Sequence, residues 1–189
     1  MINNCLQQYP HMLIGGQTRN GLPAMPCAEA SQILVDYLYH VYNRPGGRTG
    51  FFTSNNFSLA KVEFHAIKGF DPSFPLAAAE DRDFCARWLA NGRQMQYCAN
   101  VRVLHFHPLN LKKFIRQHFR YGRGAYQFHC RLVAQQQTPP KMESLRFYWN
   151  LITFCNRPMH FLARMRLVVL LIISQAANAA GFFWEAQQQ

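Results

Sequence analysis

The sequence predicts an α/β domain followed by apolar helices, on three observations. Through residues 1–134, short apolar runs of strand length alternate with segments of helical period. A polar stretch, "QQQTPPK" (135–141), then reads as a linker. Beyond it, residues 142–189 are a different material, and residues 167–184 hold no charge. At 189 residues, 49% of them apolar, the chain is long enough for one domain with a real core. No internal repeat is visible.

In order, the first fifty residues read as a short helix, a strand and a second helix. "HMLIGGQT" is a strand expected to end at Gly15-Gly16. "SQILVDYLYHVY" (31–42) sets Ile33, Leu34, Tyr37, Leu38 and Val41 on one helical face, with Ser31 as its expected N-cap. "NRPGGRTG" (43–50) breaks structure. "FFTSNNFSLAK" (51–61) reads as strand, polar kink, strand. A short helix starts at Lys61 and stops at Gly69, expected as its C′ glycine. After the turn-like "FDPSFP", a helix opens on "EDRD", carries Phe84, Cys85, Trp88 and Leu89, and ends at Asn91-Gly92. In "MQYCANVRVLHFH" (95–107), Val101, Val103, His105 and His107 share one strand face. A long helix runs from near Leu109 to about Leu132, with a basic line through Lys112, Arg116, Arg120 and Arg123.

Charge narrows the partners. Twenty Lys+Arg against nine Asp+Glu give a formal charge of +11. Such a balance suits nucleic acid, phosphate-bearing ligands or an anionic membrane. The six cysteines lack C-x-x-C spacing, which speaks against a zinc knuckle. Their scatter fits free thiols in a reducing compartment, and the N-terminus lacks the basic-then-apolar pattern of a secretory leader. In the tail, Ser174, Gln175 and Asn178 interrupt the apolar run, and several alanines with Gly181 dilute it. A helix lying in a membrane interface, or packed on a partner helix, is expected over a clean span. Arg157, Arg164 and Arg166 flank it on what would be the cytoplasmic side.

Three clusters bear on chemistry. Glu80, Asp81 and Asp83 crowd scarce carboxylates at one helix start. The free N–H groups and dipole there favour anions by ~0.3–1 kcal/mol each, which alone explains the placement. A carboxylate so fixed also suits a general base, and "DRD" matches a cation-holding D-x-D. Asp83 is expected to face solvent. His105 and His107 in "LHFHP" point alike at a strand's end, as a pair of edge histidines or as imidazole ligands. In "RQHFRYGRG", Arg116, Arg120 and Arg123 make a stripe that is either a solvated face or a phosphate contact. Gly122 and Gly124 cost ~1 kcal/mol each inside a helix, so they point to close backbone approach or a local end.

In order and spacing, "TSNNFSLAK", "KGFDPSFPLAAAEDRDFCARWLANGRQMQYCANVRVLHFHP" and "FIRQHFRYGRGAYQF" resemble the C-terminal half of a family 2 glycosyltransferase of the GT-A fold. The likeness covers roughly Phe51 to Phe128. It implies a partial GT-A, Rossmann-like fold and an inverting transfer from a nucleotide-sugar donor to a lipid-linked or polysaccharide acceptor. By that resemblance Asp81 is the catalytic base, with Glu80 shaping its surroundings or touching the acceptor. His105 corresponds to a strand-end histidine that in some relatives helps bind the metal, Mn²⁺ or Mg²⁺, or the donor diphosphate. Gln117, Arg120 and Tyr121 match a Q-x-x-R-W motif of processive relatives. Tyr121 stands where those have Trp, which speaks against processive polymerisation. Asn55, Asn56 and Asp71 would support the acceptor.

Nothing between Met1 and Gly50 matches the family's nucleotide-binding strand or its D-x-D, and the only aspartate there is Asp36. The expectation is therefore a truncated or split chain, working with a separate chain that carries the donor half. It would sit on the cytoplasmic side, peripheral on or anchored to the inner face of the cell membrane. The competing readings are a non-catalytic membrane-associated subunit and a basic nucleic-acid-binding module. The latter lacks any recognised signature, so no nucleic acid is expected.

Overall fold

In the computed structural model, residues 2–43, 49–139, 143–154 and 160–188 are described. They form a mixed α/β structure of a partial GT-A-like kind: a three-stranded sheet, seven α-helices and one 3-10 turn. The chain divides into two compact units. The first comprises Met1–Gly21, Leu38–Pro75 and Glu80–Phe106; the second comprises Leu22–Tyr37, Leu76–Ala79 and His107–Gln189. The expected break at 43–50 falls mostly outside the described residues, as do Cys155 and Arg157. The other five cysteines are free.

The first unit holds α1 (Ile2–Gln8), β1 (Leu13–Asn20), β2 (Phe57–Ser58), α3 (Lys61–Ala66), α4 (Glu80–Ala90) and β3 (Met95–His105). The sheet order is β2-β1-β3, with β1 antiparallel to β2 and parallel to β3. Strand β1 does not stop at Gly15-Gly16, because the two glycines serve approach rather than termination. A Cβ on Gly15 would overlap the Phe52 ring, and one on Gly16 would overlap the Val101 carbonyl oxygen. Across that point Gly16 pairs with Cys98 but Gln17 pairs with Arg102, so β3 bulges. The Asn56 amide fills the gap, donating to the Gln17 carbonyl at 3.0 Å and the Val101 carbonyl at 3.2 Å.

Phe51 and Phe52 are buried but belong to no strand, where a strand was expected. The Asn43 side chain serves their segment instead. Its Nδ2 donates to the Phe51 carbonyl at 2.7 Å, and its Oδ1 accepts from the Gly50 and Phe51 N–H groups. Helix α3 ends through two residues of positive φ, Lys68 (62°) and Gly69 (60°), one more than the sequence suggested. Phe84 is the hub of this unit's core, ringed by Phe57, Phe64, Phe70 and Trp88 at 5.2–6.3 Å. Leu89, by contrast, is 39% exposed.

Helix α2 (Pro26–Tyr42) begins five residues before the expected cap, with Pro26 at its first turn, so Ser31 lies inside it. Of its predicted face, Ile33 and Tyr37 are buried while Leu34, Leu38 and Val41 are half-buried.

The second unit holds α5 (Leu111–Ala134), α6 (Leu145–Thr153) and α7 (Phe161–Ala186). Asn110 caps α5, its Oδ1 accepting the Lys113 N–H at 2.9 Å. Helices α5 and α7 pack at backbone distance. A Cβ on Gly122 would overlap the Asn178 carbonyl oxygen, one on Gly181 that of Phe119, and one on Gly124 that of Ala78. Close approach is thus what the two costly α5 glycines provide. Beside the contact, Arg123 Nε and Gln127 Nε2 donate to the buried Glu185 carboxylate at 2.6 and 2.7 Å. The Arg123 guanidinium also covers the Trp184 ring at 4.5 Å.

Candidate active site

The chain enters α4 through a strained residue. Ala79 has φ +71°, a left-handed conformation that costs an alanine about 1 kcal/mol. Glu80 and Asp81 follow as the first residues of α4, in the field of its unpaired N–H groups.

Asp81 is half-buried, and its surroundings set its chemistry. Desolvation, then the neighbouring Glu80 charge, push its pKa from the ordinary 3.8 up to about 6. Arg82 and the backbone N–H groups of Arg82 and Ser54 oppose the rise without cancelling it. The Arg82 N–H donates to Oδ1 at 2.8 Å. The Arg82 guanidinium lies over the Phe51 ring at 5.0 Å. One Glu80 carboxylate oxygen is buried with no hydrogen-bond partner among the described residues. The pair therefore holds a carboxylate that is ionised at neutral pH yet far more basic than an exposed aspartate.

Asp83, two residues on, behaves differently from expectation. It is 2% exposed and bound by Arg87 Nε at 2.7 Å. Arg87 also donates to the Ile67 and Gly69 carbonyls, tying α4 to the end of α3. Buried charge needs such pairing, and that places Asp83 in the framework.

A hydrogen-bonded row runs beside Asp81. The Tyr39 hydroxyl and Thr53 Oγ1 are 2.9 Å apart, the Thr53 N–H donates to the same hydroxyl, and Thr53 Oγ1 donates to Asn55 Oδ1 at 2.7 Å. Thr18 Oγ1 reaches the same Asn55 oxygen at 3.1 Å. Burial raises the Tyr39 pKa to about 12, with the Asp81 charge a minor contributor. Asn55 is thus exposed and held in place, whereas Asn56 is buried on backbone carbonyls. Asp71 accepts the Ser73 N–H at 2.8 Å in the turn before α4. His105 ends β3, exposed, and His107 lies beyond the strand.

Gln117, Arg120 and Tyr121 fall in the second unit, on α5. Gln117 Nε2 donates to the Tyr121 hydroxyl at 2.9 Å, as the four-residue spacing allows, and approaches Ser31 Oγ at 3.4 Å. Arg120 is exposed. Between them His118 is buried against the Phe114 and Tyr121 rings. Desolvation lowers its pKa to about 4, so it is neutral at pH 7.

The sequence reading missed the Ser54 N–H and the Tyr39–Thr53 pair. Thr53 and Ser54 sit in "TSNN", but Tyr39 and Asp81 lie many residues away in the chain and leave no local pattern. The expected divalent cation has no cage here: among the described residues no three His, Cys, Asp or Glu side chains converge.

The sequence matches the family described as glycosyl transferase family group 2 over residues 28–184. No curated protein and no solved structure matches it.

Proposed function

Because the chain belongs to glycosyl transferase family group 2, we propose that it works in the transfer of a hexose from a nucleotide sugar to a lipid-linked or polysaccharide acceptor, with inversion and with Asp81 as general base. The observation that carries this reading is the raised proton affinity of Asp81, half-buried at the start of α4 beside the Glu80 carboxylate. A base poised near 6 is mostly ionised at pH 7 and still strong enough to help deprotonate a hydroxyl.

The acceptor hydroxyl gives its proton to the Asp81 carboxylate while its oxygen attacks the anomeric carbon. The bond from that carbon to the diphosphate oxygen breaks, and the nucleoside diphosphate leaves with the electron pair. Attack opposite the leaving group inverts the anomeric centre. Glu80 acts through Asp81 by raising its affinity for the proton. Asn55, Asn56 and Asp71 support the acceptor side, the last two through the backbone they hold. Gln117, Arg120 and Tyr121 contact acceptor or diphosphate.

The described residues do not supply a set of ligands for a metal. On this reading the donor diphosphate, its Mn²⁺ or Mg²⁺ and a full donor pocket lie with groups outside the described residues, with His105 at their margin. The chain works at the inner face of the cell membrane. Calorimetric titration with UDP- and GDP-sugars plus Mn²⁺ tests that placement of the donor: tight binding by the purified chain overturns it. The base is tested by Asp81→Asn in the complete, active assembly. Initial rates should fall by roughly 10²–10⁴ with donor binding retained; undiminished transfer removes Asp81 from the mechanism.

A further inference from the structure

Two thiols far apart in the chain meet in the first unit. The Cys98 side chain, on β3, is hydrogen-bonded to the Cys5 side chain, on α1. Sheet register brings them together. Leu13 of β1 pairs with Met95 of β3, and Gly16 pairs with Cys98. The turn from α1 into β1 runs only from Tyr9 to Met12. In it the Tyr9 N–H donates to the Cys5 carbonyl at 2.9 Å and the Met12 N–H to the Tyr9 carbonyl at 3.2 Å. So short a turn keeps α1 beside the sheet, where Cys5 reaches β3.

The other described cysteines are engaged elsewhere. Cys85 Sγ donates to the Phe52 carbonyl at 3.7 Å, Cys130 meets the Tyr126 hydroxyl, and Cys27 is buried in α2, in the second unit. Cys5 and Cys98 are both half-buried, which leaves an approach for a small reagent. Helix α1 buries none of its residues. It can therefore follow the shift that a sulfur–sulfur bond of about 2.05 Å requires. Burial, and then the Cys5 thiol beside it, push the Cys98 pKa up to about 12. Cys98 thus keeps its proton, and the first attack falls to Cys5.

We propose that Cys5 and Cys98 form a redox-modification site, which a low-molecular-weight disulfide closes into a bond between α1 and β3. The Cys5 thiolate attacks one sulfur of the small disulfide, whose own S–S bond breaks, and the other half leaves as a thiolate and takes up the Cys5 proton. The Cys98 sulfur then attacks Cys5 in the mixed disulfide, and its proton passes to the second departing thiolate. Two protein thiols are oxidised, and one small disulfide is reduced to two thiols. In a reducing compartment the pair rests open, and an oxidised thiol pool shuts it. Tyr97, the residue before Cys98, points to the opposite face of β3. It stacks on Phe52 at 6.3 Å and meets Tyr39 edge-on at 5.9 Å. The bond therefore anchors the strand that backs the Tyr39–Thr53 row.

The test needs no sugar, so its outcome is independent of the transfer reaction. The purified full chain, fully reduced, is incubated with oxidised glutathione, quenched with acid, alkylated and digested without reductant. Mass spectrometry should find the Cys5 and Cys98 peptides joined, and dithiothreitol should separate them. Closing a loop of about 90 residues should raise the melting temperature of the oxidised chain by roughly 5–10 °C. Cys5→Ser should lose both the link and this shift. Dibromobimane, which fluoresces once both its arms are alkylated, reads the proximity of the two thiols in the reduced chain with no redox step, and Cys5→Ser should lose most of that signal. The peptide map of the unsubstituted chain decides the matter whether or not the variant folds. Glutathione adducts that never resolve to the Cys5–Cys98 link, links only between chains, or links formed equally with the other cysteines would each overturn the proposal.

Discussion

Asp81 at the start of α4 and Glu185 near the end of α7 are both carboxylates drawn out of water, and they are treated in opposite ways. Glu185 receives a guanidinium and an amide, each within 2.7 Å. Asp81 receives backbone N–H groups and, beside it, another carboxylate. The first arrangement neutralises a charge to join two helices. The second leaves a proton affinity unspent, which is what a base requires. Asp83 sharpens the contrast within one turn of helix: it is the more buried of the α4 pair, yet Arg87 makes it framework.

The largest effect should come from breaking the joined side. Gly122→Leu forces α5 off the Asn178 carbonyl and should cost about 3 kcal/mol, read from urea unfolding. Next, Asp83→Asn leaves Arg87 without its counter-charge and should cost about 2 kcal/mol without moving the pH profile of transfer in the active assembly. An unchanged midpoint would show that the Asp83–Arg87 pair holds nothing.

Asp81→Asn should act with the opposite sign. Its folded pKa, about 6, lies above the ordinary 3.8. Between those values the folded chain binds more protons than the unfolded one, so stability falls as pH rises through that window. The substitution should therefore stabilise the fold at pH 7, by about 2 kcal/mol, and flatten melting temperature against pH. For the unsubstituted chain, transfer rate should climb with pH to a midpoint near 6 as the base loses its proton. The smallest change is at Ala79: replacement by Gly relieves a φ of +71° and should add about 0.5–1 kcal/mol, measured by thermal melting. Loss of stability there would mean that Ala79's methyl matters more than its strain.

Part of this was legible from local pattern. Three carboxylates between an apolar run and an amphipathic one announce a helix start, and α4 does open at Glu80. The glycines of α5 announced close approach, because a helix tolerates them only for a reason. What failed was whatever depended on distant chain. Gly15-Gly16 looked like a strand end because the Phe52 ring and the Asn56 amide that need their space come from some forty residues away. Asp83 looked solvated because its burial depends on α3 and the aromatic cluster around Phe84.

The sequence by itself determined the α/β character, the position of each helix to within a few residues, the basic charge and the ordered motifs around Glu80-Asp81, since these rest on period, composition and short-range capping. Tertiary structure alone decided which carboxylate is paired and which is left proton-hungry, and which cysteines meet. Desolvation and pairing are properties of neighbours in space, and the chain's order does not list those neighbours.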